Sequence, residues 1–244
     1  MERHHSFDRL HNFRDLGGYR AADGRTVRWA ALYRSDSLGK LRGSAADWEK
    51  FLALGIRTVI DLRYPWEIAR SGRVPEHPSL AFHNLSIEHR PYDQAAQGPE
   101  VAIGPFLAGK YAEVAEDGTA EIRAALDVIA QSDGPVVFHC QSGKDRTGLI
   151  ALLVLTLLGV GEEDIVADYA LTESATDRLV AEWQANYPHL TMNWPGYGRA
   201  PAEVLQLAIA GMRERYGSVA GYAGERLGVD TAMVERLRGR LLEG

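Results

Sequence analysis

Val136-Val137-Phe138-His139-Cys140-Gln141-Ser142-Gly143-Lys144-Asp145-Arg146-Thr147-Gly148 is the stretch on which the reading of this chain turns. A short apolar run leads to Cys140, the sole cysteine of 244 residues. Arg146 stands six positions on, ahead of a second apolar run over residues 149–160. This is the pattern of a buried strand that ends on a cysteine and turns into a helix N-terminus. Such a turn aims backbone N–H groups inward and adds the positive end of the helix dipole, so it makes a pocket for an anion. The same field favours the thiolate of Cys140. Arg146 adds a planar fork that matches two phosphate oxygens. Gly143 lets the backbone pass close to the anion, and Gln141, Ser142, Lys144 and Asp145 lend N–H groups. These parts suit hydrolysis of a phosphate ester through a cysteinyl-phosphate.

Each residue also has a plainer reading. Free cysteine is commonly a buried structural thiol, but such a thiol is rarely followed by Gly at +3 and Arg at +6 at a helix start. A cation at a helix N-terminus opposes the dipole unless an anion sits in front of it. The hydroxyl of Thr147 either caps the helix or hydrogen-bonds the thiolate as it leaves. His139 either steadies the loop or is an ordinary core histidine. Lys144 is a second positive charge at the pocket or a solvated lysine.

The span from His139-Cys140 to Arg146-Thr147-Gly148 resembles the signature loop of the protein tyrosine phosphatase superfamily. The pair Lys144-Asp145 narrows the resemblance to the bacterial tyrosine/serine phosphatase family typified by mycobacterial protein tyrosine phosphatase B. Further blocks agree in order: Asn12-Phe13-Arg14-Asp15-Leu16-Gly17-Gly18-Tyr19, Leu32-Tyr33-Arg34-Ser35-Asp36, Asp61-Leu62-Arg63 and Val166-Ala167-Asp168-Tyr169. The tail from Tyr216-Gly217-Ser218 to Leu237-Arg238-Gly239 matches too, and residues 88–118 match least. Several ordered blocks are far more specific than one motif.

The resemblance implies one phosphatase domain over residues 1–244, acting on phosphotyrosine, with phosphoserine, phosphothreonine and phosphoinositides as further substrate classes. It implies inhibition by inorganic phosphate or vanadate. No cofactor is expected, and neither histidine set (His4, His5, His11; His77, His83, His89) has metal-ligand spacing with acidic partners. The resemblance gives Asp145 the role of general acid. Asp61, at a strand end, is the competing acid, its alternative being to orient Arg146 or Arg63. Asp145 is preferred, because an acid must reach the leaving oxygen and repulsion from a bound phosphate favours its protonated form. Asp93 and Asp117 lie in poorly matching sequence. A lysine at position 144 goes with inositol-ring or doubly phosphorylated substrates in related loops. Arg14, Arg34 and Arg63 either line the pocket or hold scaffold carboxylates such as Asp15, Asp36 or Glu67. Residues 183–201 correspond to a helical lid in the family, but here the stretch is shorter and rich in Pro and Gly, so a shortened lid is expected.

Composition is consistent with this. With 45% hydrophobic residues the chain fits one large domain. Twenty-seven basic against 33 acidic residues give a net charge of −6, and no basic run argues for nucleic acid. One cysteine forbids an internal disulfide and permits a reducing compartment. The first residues lack a signal-peptide core, and residues 149–160 are too short to span a bilayer. Cytoplasmic is the default expectation, with export without a signal peptide left open.

Strands alternating with helices predict an α/β fold with a mostly parallel central sheet flanked by helices and a helical C-terminal part. Tyr19-Arg20 and residues 26–33 read as a hairpin around Ala22-Asp23-Gly24-Arg25. Ser44 reads as a helix N-cap, with Gly55 closing that helix. Residues 58–60 read as a buried strand delivering Asp61 and Arg63. Helices are expected over residues 122–129, 147–158, 162–172, 174–184, 202–216 and 231–242. Residues 90–109 read as a mobile surface loop. Two readings compete with a cysteine phosphatase: a non-catalytic phosphate-binding module and a rhodanese-like sulfurtransferase.

Overall fold

A computed structural model describes residues 2–87 and 93–244. The chain runs β1 (Arg14–Asp15), β2 (Thr26–Val27), β3 (Leu32–Ser35), α1 (Ala45–Ala53), β4 (Thr58–Asp61), α2 (Pro65–Ser71) and β5 (Ala81–Asn84). It continues α3 (Ile103–Asp117), α4 (Thr119–Gln131), β6 (Val136–His139), α5 (Asp145–Leu158), α6 (Glu162–Ala170), α7 (Thr176–Asn186), α8 (Ala202–Tyr216), α9 (Val219–Leu227), α10 (Thr231–Leu241) and β7 (Leu242–Glu243). The main sheet has the order β1-β3-β6-β4-β5, with only β1 antiparallel.

The strands are short, and β3, β4 and β6 are buried on both faces, as the interior of a parallel sheet requires. Side chains alternate between the two faces. Val136, Phe138 and Ile60 enter one apolar cluster with α3, α4, α5 and α8. Val137, Val59 and Tyr33 enter the other with Phe7, Phe13 and Phe51. Helix α5 is apolar nearly all round and runs through the larger cluster, buried along most of its length. A helix of that composition is stable only when enclosed. Its close approach to α3 depends on Gly148, where a Cβ would fall 2.5 Å from the Tyr111 hydroxyl.

Register places Ser35 and Asp61 on either side of His139. The segments leaving three neighbouring parallel strands therefore emerge together at their carboxyl ends. Ligands of open α/β sheets sit there. Among the described residues no helix is long and apolar enough to cross a membrane.

The expected helices are present, with α1 capped by Ser44 through Asp47 N at 3.1 Å. Three expectations are corrected. The hairpin turn closes, with Ala21 N donating to Arg25 O at 2.8 Å, but the strand stops at Val27 and pairs with β7. Ala30 adopts a φ of 56°, its N–H held by Asp15 at 2.7 Å, and this breaks residues 26–33 into two strands. Of the expected mobile loop, residues 90–92 lie outside the described residues, and from Ile103 onward the chain is α3. Pro105 lies in the first turn of α3, where its missing N–H costs nothing. The third correction concerns arginine partners and belongs with the site.

Candidate active site

The loop between β6 and α5 is held from outside by its carbonyl groups. Ser37 N donates to Gln141 O at 3.1 Å. Asn12 Nδ2 donates to Ser142 O and Gly143 O at 3.0 and 3.1 Å. Arg34 Nη2 donates to Gly143 O at 2.9 Å, and the Tyr111 hydroxyl to Lys144 O at 3.2 Å. In a trans peptide the next N–H points opposite to the carbonyl. Four carbonyls fixed outward therefore turn the N–H groups of Ser142, Gly143, Lys144 and Asp145 inward. Gly143 makes this possible: its φ is +68°, and a Cβ there would meet Ser35 O at 2.5 Å.

The loop borders a cavity of about 510 Å³, lined by Cys140, Gln141, Ser142, Lys144, Asp145 and Arg146 from the loop and helix start. Tyr64 and Glu67 come from the start of α2 and Tyr111 from α3, and Trp183, Tyr187 and Tyr197 complete an aromatic side of the lining. Cys140 is 2% exposed.

Arg146 is aimed by Glu67. Its Nη1 and Nη2 donate to the two Glu67 carboxylate oxygens at 2.6 and 2.9 Å, and Nη1 also meets Leu62 O at 3.3 Å. A guanidinium has five N–H donors. Among the described residues three are thus engaged, and the other two, Nε–H and one on Nη2, form the side-on fork that fits two oxygens of a tetrahedral anion. Burial alone would push the guanidinium pKa down. The Glu67 hydrogen bonds and the neighbouring Cys140 outweigh it and hold Arg146 charged, above its ordinary value. Glu67 itself caps its helix by accepting from Tyr64 N at 2.8 Å.

Beneath the loop lies a buried ion cluster. Asp168 pairs with Arg14 at 3.1 Å and with Arg34 at 2.6 Å. Burial would raise the Asp168 pKa, but the two guanidinium groups draw it down to about 2. Arg14 and Arg34 therefore hold Asp168, and through Arg34 the loop. They pair with neither Asp15 nor Asp36, the carboxylates nearer in sequence.

The other candidates divide. Lys144 is not a solvated lysine. It is 1% exposed, donates to Arg199 O at 3.0 Å and lies 3.5 Å from Asp145. Asp145 lines the cavity and accepts from Gln94 at 3.2 Å. The buried hydroxyl of Thr147 has no partner among the described residues. Asp61 and Arg63 do not line the cavity. Both are fully buried; the Arg63 guanidinium donates to the Asp61 carboxylate at 2.9 and 2.7 Å and Arg63 N does so at 3.1 Å, with Ser37, Ser71 and Gly72 O taking the remaining guanidinium donors. Asp61 thus orients Arg63, not Arg146. His139 is also enclosed, with Nδ1 3.2 Å from Cys140 O and Nε2 3.5 Å from Asp61. Burial lowers its pKa despite Asp61 and favours the neutral ring.

Glu67 appeared in the sequence only as one of several scaffold carboxylates. The signal that could have placed it is local: Pro65 at a first helical position and Glu67 in the first turn mark a helix start beside the Asp61-Leu62-Arg63 block. The stretch expected as a lid consists of the last turns of α7 and an irregular strap over residues 187–201. Trp194 anchors the strap through Nε1 to Val101 O at 2.9 Å, and its ring stands edge-on to Phe106 at 5.1 Å. Lys144, bonded to Arg199 O, ties the strap to the loop.

The chain is similar to known proteins over nearly its whole length. A Cupriavidus necator protein named as a tyrosine-protein phosphatase is 33% identical over 261 residues, covering 98% of this chain and 88% of that one. The triple specificity protein phosphatase PtpB of Mycobacterium tuberculosis is 28% identical over 273 residues, covering 95% and 96%. The crystal structure of Pseudomonas aeruginosa TpbA aligns with 79% of this chain and 98% of that one, at 14% identity and a TM-score of 0.33. That superposition is too loose to carry an argument. The profile of the tyrosine phosphatase family matches residues 5–243. With nearly its whole length matched, the chain belongs to the tyrosine phosphatase family.

Proposed function

We propose that this phosphatase works through a covalent phosphocysteine on Cys140. The observation that carries the reading is the grouping, in one cavity, of Cys140, loop residues 141, 142, 144 and 145, and Arg146 with its terminal nitrogens held by Glu67. The Cys140 thiolate attacks phosphorus in line with the ester oxygen. The S–P bond forms, the P–O bond breaks, and the leaving oxygen takes a proton from Asp145. Loop N–H groups and the Arg146 fork hold the three equatorial oxygens, where charge collects in the transition state. Water then attacks phosphorus and gives a proton to Asp145, and the thiolate departs, steadied by the Thr147 hydroxyl. Inorganic phosphate is released. Asp61 and Arg63 hold the strand ends in place, and His139 supports the loop as a neutral ring.

Phosphotyrosine is the primary substrate class. Phosphoserine, phosphothreonine and phosphoinositides are proposed from the buried Lys144 beside Asp145 and from the resemblance to a triple specificity phosphatase. Phosphate release from p-nitrophenyl phosphate, with sulfur transfer from thiosulfate to cyanide run in parallel, tests the reading. Wild type should release phosphate without transferring sulfur, and Cys140→Ser should do neither while keeping the fold and being stabilised by phosphate. Sulfur transfer would favour a sulfurtransferase, and absence of both activities a binding module.

A further inference from the structure

A second cavity of about 470 Å³ adjoins the first, and the two share a wall that includes Trp66, Gln141, Trp183 and Tyr187. Its charged groups are not equally engaged. Lys40 pairs with Asp36 at 2.8 Å and also with Glu182, which itself lies 3.3 Å from His11. Glu67 is occupied by Arg146. Arg70 is different: it is exposed, and no carboxylate pairs with it among the described residues. Its guanidinium lies over the Tyr187 ring at 4.7 Å. Stacking fixes the plane of the group and leaves its N–H edge for a planar anion.

Position sets what that anion can be. Arg70 follows Glu67 by three residues on α2, so their Cβ atoms lie about 5–6 Å apart. An extended peptide advances about 3.3–3.6 Å per residue. A residue two or three places from a tyrosyl phosphate bound at Cys140 therefore comes within reach of Arg70. We propose that the second cavity is a subsite for an acidic side chain close to the phosphotyrosine of a peptide substrate, and that Arg70 reads it. The proposal rests on the phosphatase reading above. A peptide fits better than an inositol ring, because the wall between the cavities is aromatic. Trp66, 62% exposed, stands on the boundary of both, and apolar surface there suits the side chains between the two charges.

The test compares kcat/KM on two phosphotyrosine peptides that differ only in Glu or Gln at the second and third positions on either side of the phosphotyrosine. Wild type should prefer the Glu peptide by roughly threefold to fivefold, the range of an exposed ion pair, and added salt should shrink the preference. Arg70→Gln should abolish it and Arg70→Glu should reverse it, with p-nitrophenyl phosphate turnover unchanged in both. Equal rates in wild type, or a preference that survives Arg70→Gln, would overturn the subsite. So would a loss confined to a short-chain phosphoinositide, which would assign the cavity to a ring phosphate. Absent p-nitrophenyl phosphate turnover in wild type would instead sink the phosphatase reading itself.

Discussion

Replacing Glu67 with Gln separates the binding of phosphate by Arg146 from its aim. The carboxylate holds both terminal nitrogens of the guanidinium, at 2.6 and 2.9 Å. Gln keeps the length and one acceptor, but loses the charge and the second acceptor. Two effects then oppose each other. Removing a negative charge about 7 Å from a bound phosphate relieves roughly 2 kcal/mol of repulsion per unit charge, at an effective dielectric near 20. Freeing the fork costs alignment, and a displacement of about 1 Å is worth about a hundredfold in rate, or ~2.7 kcal/mol of barrier. The electrostatic relief acts on bound phosphate and transition state alike, whereas misalignment acts mainly on the transition state. Glu67→Gln should therefore lower kcat by about ten- to a hundredfold while phosphate inhibits as well as before or better. Steady-state kcat and the phosphate inhibition constant at fixed ionic strength decide it, with circular dichroism as the check on folding. An unchanged kcat with weakened phosphate inhibition would refute the aiming role, and so would no change in either.

Asp145→Asn should slow phenyl and alkyl phosphates far more than nitrophenyl esters, because only poor leaving groups need the proton. Asp61→Asn should leave that dependence alone and lower the urea midpoint, since it unpairs the buried Arg63, a change worth about 3–5 kcal/mol; a larger leaving-group effect from Asp61 would reverse the acid assignment. Acid should weaken the fold in two stages. His139 has a lowered folded pKa, so the unfolded state takes up its proton first and stability falls as pH drops below 6.5. Asp168, depressed from 3.8 to about 2, adds a second loss below pH 4 that totals roughly 2 kcal/mol once both states are protonated. Urea titrations from pH 7 to pH 2 check this, and a midpoint that stays level down to pH 5 would contradict the His139 stage.

What the sequence could reveal depended on how local the cause was. The strand, cysteine, turn and buried helix of residues 136–158 declare themselves through neighbouring residues, and so do the Ser44 cap and α8. Helix α3 was hidden because Gly104 and Pro105 read as breakers, although a proline in a first turn breaks nothing. Strand β5 is a half-buried edge with little alternation to find. The arginines were legible as important but not as to partner. Arg14 and Arg34 meet Asp168 across 154 and 134 positions, and Arg146 meets Glu67 across 79. Such pairings are set by which helices the fold packs against the strand ends and against one another, which spacing along the chain does not encode. Asp61 looked like an acid at a strand end until the structure showed its carboxylate closed by Arg63.

In the proposed reaction phosphorus passes through sulfur. Turnover of a phosphotyrosine peptide, stopped with acid in the first moments and followed by digestion and mass spectrometry, tests it most directly. One phosphoryl group is expected on the peptide containing Cys140, attached to Sγ, and none in Cys140→Ser. A phosphoryl group on His139 or Lys144, or turnover by Cys140→Ser at the wild-type rate, would contradict it.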